Sequence, residues 1–358
     1  MKRIHINLGK YSYDIPIEKG LLQRAGDYVC TLTKAKTLAV ITDTSVDALY
    51  GDTLEQSLRD AGFIVRRMIV PAGEQSKNMD QLAWLYQQMS DAGITRGDAV
   101  ITFGGGVVGD LGGFAAATFL RGIAFIQIPT TIIAQVDSSV GGKVGIDLPS
   151  GKNQAGAFYQ PKGVLIDPEL LKTLPKRFIH DGLGEVIKYG CIRDGELFDL
   201  LEQLNDETIF DHWEEIILRC CKTKAYVVER DEYDLGERMI LNFGHTIGHA
   251  IERFYGYGHY THGEGVAAGM SMLTAMTESM GLTEAGTTAR LRKVLQQYGL
   301  PVEVDATAED LLPYMVHDKK MRGNHMTLII LKSIGNGKLL SIKPEELPKY
   351  IRRKRESL

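Results

Sequence analysis

Along the first half of the chain, apolar runs with strand character alternate with segments whose apolar positions recur at helical spacing. RIHINL and YSYDIPI predict a hairpin turning at Gly9-Lys10. A helix over Leu21 to Leu32 precedes the apolar strand TLAVITD, Thr37 to Asp43. A helix over Ser45 to Ala61 leads to FIVRRMIV, a strand ending at Val70. Leu82, Leu85, Tyr86 and Met89 share one stripe of a helix predicted over Asn78 to Ala92. DAVITFGGG reads as a buried strand running into glycines, DLGGFAAATFL as a small-residue helix, and IAFIQIP as another buried strand. GVLID, Gly163 to Asp167, closes the set. Strands alternating with helices predict a parallel sheet covered on both faces.

After Pro175 the pattern changes. Amphipathic helices are predicted over Lys176–Cys191, Glu196–Leu204, Trp213–Glu229, Phe243–Arg253, Gly263–Met280 and Thr288–Tyr298, with one late strand, MTLIILK. The change places a domain boundary near 168–178, giving domains 1–172 and 173–358. The basic tail YIRRKRESL reads as a solvated helix end.

Composition narrows the function classes. The 358 residues are 44% hydrophobic and 24% charged, which excludes disordered and fibrous chains. Forty-one basic against 45 acidic residues give a net charge of −4, which argues against nucleic acid or an anionic membrane as partner. No apolar run reaches the ~18–20 residues that cross a bilayer. The N-terminal MKRIHINLGKYSYD has no signal-peptide core. Cys30, Cys191, Cys220 and Cys221 form no CxxC pair, as suits thiols in a reducing compartment. The expected location is the cytoplasm.

Glycine is in excess, 39 residues, where an average chain of this length has about 25. Gly104, Gly106 and Gly109 have GxGxxG spacing between a strand and a helix, where backbone N–H groups can meet a pyrophosphate. The acidic partner usual ~20 residues onward is missing, and the loop follows a later strand than usual. Asp43, ending an earlier strand, could accept from a ribose hydroxyl. A turn needed only for helix–strand packing is the alternative. PAGEQSK could bracket an adenosine or cap the next helix. The long stretch from Thr130 to Tyr159 sets Thr130, Thr131, Asp137, Ser138, Lys143, Lys152 and Asn153 among small residues, as would suit a phosphorylated ligand.

Of nine histidines, His245, His249, His259 and His262 cluster. His245 and His249 stand at i,i+4 on one helix face, a metal-pair spacing. Glu185 in GLGEVIKYG is a candidate third ligand, with Lys188 one turn later, and Glu264 lies nearby. Spacing leaves open which two histidines complete a three-ligand set.

Read together, PAGEQSK, GGGVVGDLGGF, IPTT, QVDSSVGGKVGI, GKNQAGAF, GEVIKYG, RMILNFGHTIGHAIE, HGEGVAAGM and HDKK resemble the 3-dehydroquinate synthase family of the sugar phosphate cyclase superfamily. They follow family order from about Asp43 to Lys320. The resemblance implies a Rossmann-like α/β parallel-sheet domain that binds NAD, an all-α C-terminal domain that binds metal and substrate, and a site in the cleft. It implies Glu185, His245 and His262 as ligands of one divalent ion, Zn²⁺ or in its place Co²⁺. His249 then falls to substrate contact and proton transfer. The implied NAD contacts are Asp43; Ala72, Gly73, Glu74, Gln75, Ser76 and Lys77; Gly106, Val107, Val108, Gly109 and Asp110; Thr130 and Thr131; Lys143 and Lys152; and Leu170, Leu171, Lys172 and Thr173. The implied substrate contacts are Asp137, Lys143, Asn153, Lys188, Lys224, Arg238, Asn242 and His249. Arg121 matches an arginine that the family extends across a dimer interface, so a homodimer is expected. One of Lys319 and Lys320 is expected to reach substrate.

The implied substrate is a small phosphorylated sugar acid, 3-deoxy-D-arabino-heptulosonate 7-phosphate. The implied reaction oxidises C5 transiently with NAD⁺, eliminates phosphate, returns the hydride, opens the ring and closes it by an intramolecular aldol step to 3-dehydroquinate. A divalent ion would act as Lewis acid on the vicinal oxygens. NAD is regenerated each turnover, so the activity is that of a lyase, on the shikimate route to chorismate and the aromatic amino acids. Rival readings are another sugar phosphate cyclase, a metal- and NAD-dependent polyol dehydrogenase, and an NAD-sensing protein with a dead site. Lys224 and Arg238 favour a substrate bearing a carboxylate.

Overall fold

The computed structural model describes residues 2–256, 258–315, 321–322 and 325–351. The chain groups into two compact units, Met1–Leu174 with Trp213–Tyr233, and Pro175–His212 with Asp234–Leu358.

In the first unit, β1 (Lys2–Ile6) and β2 (Tyr13–Ile17) pair antiparallel, with Ile4 opposite Ile15. Four strands, β3 (Thr37–Asp43), β4 (Ile64–Val70), β5 (Ala99–Gly104) and β6 (Ala124–Pro129), form a parallel sheet in the order β4-β3-β5-β6. Both faces are covered, which is why the strands read as continuous apolar runs. On one face Leu54 and Leu58 of the helix Asp52–Asp60 join a core with Leu38, Val40, Ile101 and Phe103. On the other, Leu82 and Leu85 of the helix Met79–Asp91 and Leu111 of the helix Gly106–Thr118 join Ala39, Ile41 and Val100. The chain runs from β3 to β4 on one side and later pairs β5 on β3's other side. The C-terminal ends of β3 and β5 therefore make a topological switch point, where open α/β sheets leave a ligand crevice. GVLID lies between β6 and β2, through isolated parallel pairings of Val164 with Gln127 and of Ile166 with Ile17.

Two features differ from the sequence expectation. The stretch from Thr130 to Tyr159 is not one long loop: it holds an antiparallel hairpin of β7 (Lys143–Leu148) and β8 (Gly151–Phe158). Gly145 opposes Gly156, and a Cβ at 145 would stand 2.6 Å from the Ala155 carbonyl oxygen. Small residues permit that pairing, yet they carry little strand propensity. The helix Trp213–Arg230 groups with the first unit, although the texture of the sequence put everything after residue 172 in the second.

The second unit is mainly helical, with long helices Lys176–Ile192, His245–Tyr255 and His262–Ser279. MTLIILK lies in β10 (His325–Ser333), between β9 (Met321–Arg322) and β11 (Asn336–Ile342) in a small antiparallel sheet. Among the described residues no helix is long and apolar enough to cross a membrane.

Candidate active site

The second unit brings Glu185, His245 and His262 together: one ligand atom from each lies within 4.8 Å of the others. Glu185 Oε1 is 3.3 Å from His245 Nε2 and 3.3 Å from His262 Nε2. Tetrahedral zinc with bonds of ~2.0–2.2 Å sets its ligand atoms ~3.3–3.6 Å apart. Glu185 is 1% exposed, and its Oε1 has no hydrogen-bond partner among the described residues despite the two nearby nitrogens. A buried carboxylate oxygen left without a donor is costly, and a cation among these three atoms would satisfy it. The donor set of one carboxylate and two imidazoles, leaving a fourth position open, fits catalytic zinc or cobalt.

Glycines set this convergence. Each ligand sits next to a glycine at which two helices meet backbone to backbone. A Cβ on Gly184 would stand 2.7 Å from the Gly263 carbonyl oxygen, and one on Gly263 would stand 1.8 Å from that of Asp181. One on Gly269 would reach the Gly244 carbonyl oxygen at 2.2 Å. Gly244 has φ of 81° and caps the His245 helix in the left-handed region that glycine tolerates. Asp181, one turn before Glu185, accepts from the Gly263 N–H at 2.5 Å and so ties the start of the His262 helix to the Glu185 helix. Thr261 and Glu264 add a capping box at the same end.

Electrostatics and outer contacts orient the set. Burial would raise the Glu185 carboxyl, but the Lys188 ammonium and His245 outweigh it and hold the group well below the usual range. Lys188 is buried beside Glu185 and donates to its Oε2. Burial lowers the His245 imidazole, favouring the neutral ring that can ligate. Its Nδ1 lies 3.1 Å from the Phe243 carbonyl oxygen, which leaves the Nε2 lone pair facing Glu185. His249, at i,i+4 from His245, is exposed; its ring lies 5.5 Å from that of His245 and 5.7 Å from that of His262. With Glu252 and His262 it forms a second cluster within 4.8 Å. Glu252 was not singled out from the sequence, although its i,i+7 spacing from His245 puts it on the same face.

In the first unit many of the expected nucleotide contacts follow the C-terminal ends of β3, β4, β5 and β6. Asp43 ends β3, where its Oδ1 accepts from Ser45 and Val46 N–H at 2.8 and 3.1 Å. Gly105 caps the helix Gly106–Thr118, which holds Val107, Val108, Gly109 and Asp110. Cβ atoms on Gly104, Gly105 and Gly109 would meet Val108, Thr131 and Gln127 at 2.7, 3.0 and 3.0 Å. Packing and open backbone are thus both served by the same residues. Lys77, 5% exposed, is 2.6 Å from Asp110 Oδ2 and donates to Asn153. Burial pulls the Lys77 ammonium down, but Asp110 and Glu74 more than restore it. Around it run Ala72, Gly73, Glu74, Gln75 and Ser76, with Lys152 3.9 Å from Glu74. The buried Thr130 hydroxyl at the end of β6 has no hydrogen-bond partner among the described residues. Lys143 opens β7, exposed. Leu170 and Leu171 are core residues, while Lys172 pairs with Glu169 at 2.5 Å and Thr173 meets the Tyr50 hydroxyl at 2.8 Å. This surround of backbone donors, an unpartnered hydroxyl and a fixed lysine fits a dinucleotide.

Lys224, on the helix Trp213–Arg230, is buried and lies 3.0 Å from Asp137 Oδ1. Arg238 is buried in the second unit, and Asn242 ends a short turn before the His245 helix. Arg121 stands with Leu120 in the left-handed region, φ of 69° and 50°, at an exposed corner. Strained corners of this kind recur at functional positions. Lys319 and Lys320 lie outside the described residues.

A switch-point sheet with a glycine turn, and a helical unit with a carboxylate and two histidines around one point, make up an enzyme of cyclase architecture. Residues 67–181 match the family model described as 3-dehydroquinate synthase N-terminal, and 182–321 the one described as 3-dehydroquinate synthase C-terminal. The chain belongs to the 3-dehydroquinate synthase family, whose members are lyases. It is 49% identical over 354 residues to the 3-dehydroquinate synthase of Clostridium acetobutylicum, covering 98% of this chain and 99% of that one. The structure of 2-deoxy-scyllo-inosose synthase complexed with carbaglucose-6-phosphate, NAD⁺ and Co²⁺ has a TM-score of 0.87 at 26% identity, covering 98% and 99% of the two chains. The 2-epi-5-epi-valiolone synthase of Streptomyces hygroscopicus, with NAD⁺ and Zn²⁺ bound, gives 0.85 at 25% identity, covering 94% and 95%.

Proposed function

We propose that the protein converts 3-deoxy-D-arabino-heptulosonate 7-phosphate into 3-dehydroquinate and inorganic phosphate. The observation that carries the reading is the unsatisfied Oε1 of Glu185, which faces the Nε2 atoms of His245 and His262. Those three residues would hold the ion, and the switch-point groups, Asp43, the 72–77 loop and Gly106 to Asp110 among them, would hold the dinucleotide. When bound, NAD⁺ supplies reversible hydride acceptance and the divalent ion Lewis acidity toward substrate oxygens. The chain's own groups do the rest. Lys188, fixed by Glu185, supplies a desolvated ammonium to a substrate oxygen. Lys224, held by Asp137, and the buried Arg238 supply cations for anionic substrate groups, the carboxylate first among them. Lys143, Asn153 and Asn242 add polar contacts. His249 is exposed and able to exchange protons, so it suits proton transfer during phosphate loss better than it suits a closed ligand set. In this reading the enzyme works in the cytoplasm as a homodimer, with Arg121 reaching toward the neighbouring copy.

The test incubates purified protein with substrate, NAD⁺ and Zn²⁺ and follows phosphate and 3-dehydroquinate. Equal release of both, with no net NADH, is expected. NADH accumulating without phosphate would instead establish a polyol dehydrogenase.

A further inference from the structure

We infer that Glu252 is a positioning residue, whose carboxylate fixes the His262 ring so that Nε2 rather than Nδ1 is presented toward Glu185. This rests on the metal reading above. Glu252 is 6% exposed, and its Oε2 lies 3.5 Å from His262 Nδ1. On the far side of the same ring, Nε2 lies 3.3 Å from Glu185 Oε1. The imidazole therefore spans two carboxylates through its two nitrogens. A ring that ligates through Nε2 must carry its proton on Nδ1, and Glu252 is the acceptor there. The contact is longer than a formed hydrogen bond; such contacts at sites of chemistry commonly close on loading. His245 solves the same problem with a backbone acceptor, the Phe243 carbonyl. His262 opens its helix, and a first helical turn presents backbone donors rather than acceptors, so a side chain from the adjacent His245 helix takes that role.

The alternative use of Glu252 is as a ligand itself, since His249, Glu252 and His262 also cluster. The spanning of His262 favours positioning: an ion at its Nδ1 would leave the buried Glu185 Oε1 unsatisfied.

The test compares the unsubstituted protein with Glu252→Ala, Glu252→Gln and Glu185→Gln. Each metal-free protein is titrated with Zn²⁺ against a chromophoric chelator, and the Zn²⁺-loaded proteins are examined by ¹⁵N–¹H NMR at the histidines. Glu252→Ala should lose ~10–100-fold in Zn²⁺ affinity. Glu252→Gln, nearly isosteric and still an acceptor, should recover most of it. The His262 Nδ1–H resonance should lie far downfield in the unsubstituted protein and move upfield in Glu252→Gln, a change that general loosening would not produce. Unchanged affinity and an unchanged resonance in both Glu252 variants overturn this inference alone. Normal binding by Glu185→Gln together with lost binding by Glu252→Gln overturns it by making Glu252 a ligand. Failure of the unsubstituted protein to bind Zn²⁺ overturns the metal reading and this inference with it.

Discussion

Gly263 packs on Asp181 so closely that a Cβ at 263 would stand 1.8 Å from the Asp181 carbonyl oxygen. The obstacle is backbone, so no side-chain rotation relieves it. Gly263→Ala must therefore push the His262 helix away from the Glu185 helix. We expect it to destabilise the second unit by more than ~3 kcal/mol, beyond ordinary overpacking, and to abolish tight Zn²⁺ binding. Urea unfolding and a zinc titration check this; near-normal zinc affinity would disprove it.

Removing a ligand without moving a helix should separate chemistry from folding. Glu185→Gln and His262→Ala are each expected to abolish phosphate release while keeping the far-ultraviolet dichroism of the parent. Wild-type-like turnover in either would refute the ligand assignment.

Lys77 holds Asp110 and Asn153, two residues expected to face the dinucleotide and the substrate. Lys77→Met leaves the Asp110 carboxylate without that partner, at a cost of about 3 kcal/mol. Loss of one charge-assisted contact should weaken NAD⁺ on the order of tenfold. Calorimetric titration with NAD⁺ reads this out. Unaltered affinity would remove Lys77 from the site.

Asp98 accepts from the Thr37 N–H at 3.0 Å and from the Thr95 N–H and hydroxyl at 2.9 and 2.7 Å, tying the start of β3 to the turn before β5. Burial pushes its carboxyl up, but these donors prevail and set it below the usual range. A depressed folded-state value means that the carboxylate stabilises the fold fully above its unfolded value of ~3.9, and that this stability is lost as pH falls through the folded value. Asp98→Asn should cost ~1–3 kcal/mol near neutrality. The gap from the parent should narrow as the pH falls from the unfolded value of ~3.9 through the lower folded value. Denaturant melts near neutrality and across that range decide it; a gap independent of pH would contradict the assignment.

How far the sequence alone reached follows from which interactions are local. The apolar runs of β3, β5 and β6 are long and β-branched, so sheet and helices were readable from periodicity. The β7–β8 hairpin was not, because Gly145, Ala155 and Gly156 pair through backbone alone. The helix Trp213–Arg230 reads as amphipathic in the sequence, but periodicity reports which face is buried and not which unit buries it. At the site, the i,i+4 spacing of His245 and His249 is the same for a ligand pair as for a ligand and a proton carrier. Burial tells them apart: His245 is buried and His249 exposed. Glu252 escapes because a carboxylate mid-helix usually faces water, and its approach to the His262 ring, on another helix, leaves no trace in the local spacing.

The backbone passes between the two units three times, after Leu174, after His212 and after Tyr233. Neither half is thus a contiguous module that could be excised or exchanged as a block. A polypeptide ending at Leu174 would keep the whole parallel sheet yet forfeit Trp213, Cys220, Cys221 and Val227, all fully or almost fully enclosed. It would also leave Asp137 without Lys224. Recombination that shuffled cofactor units among such chains would have to carry this distant helix along, a covalent reason for the halves to be inherited together.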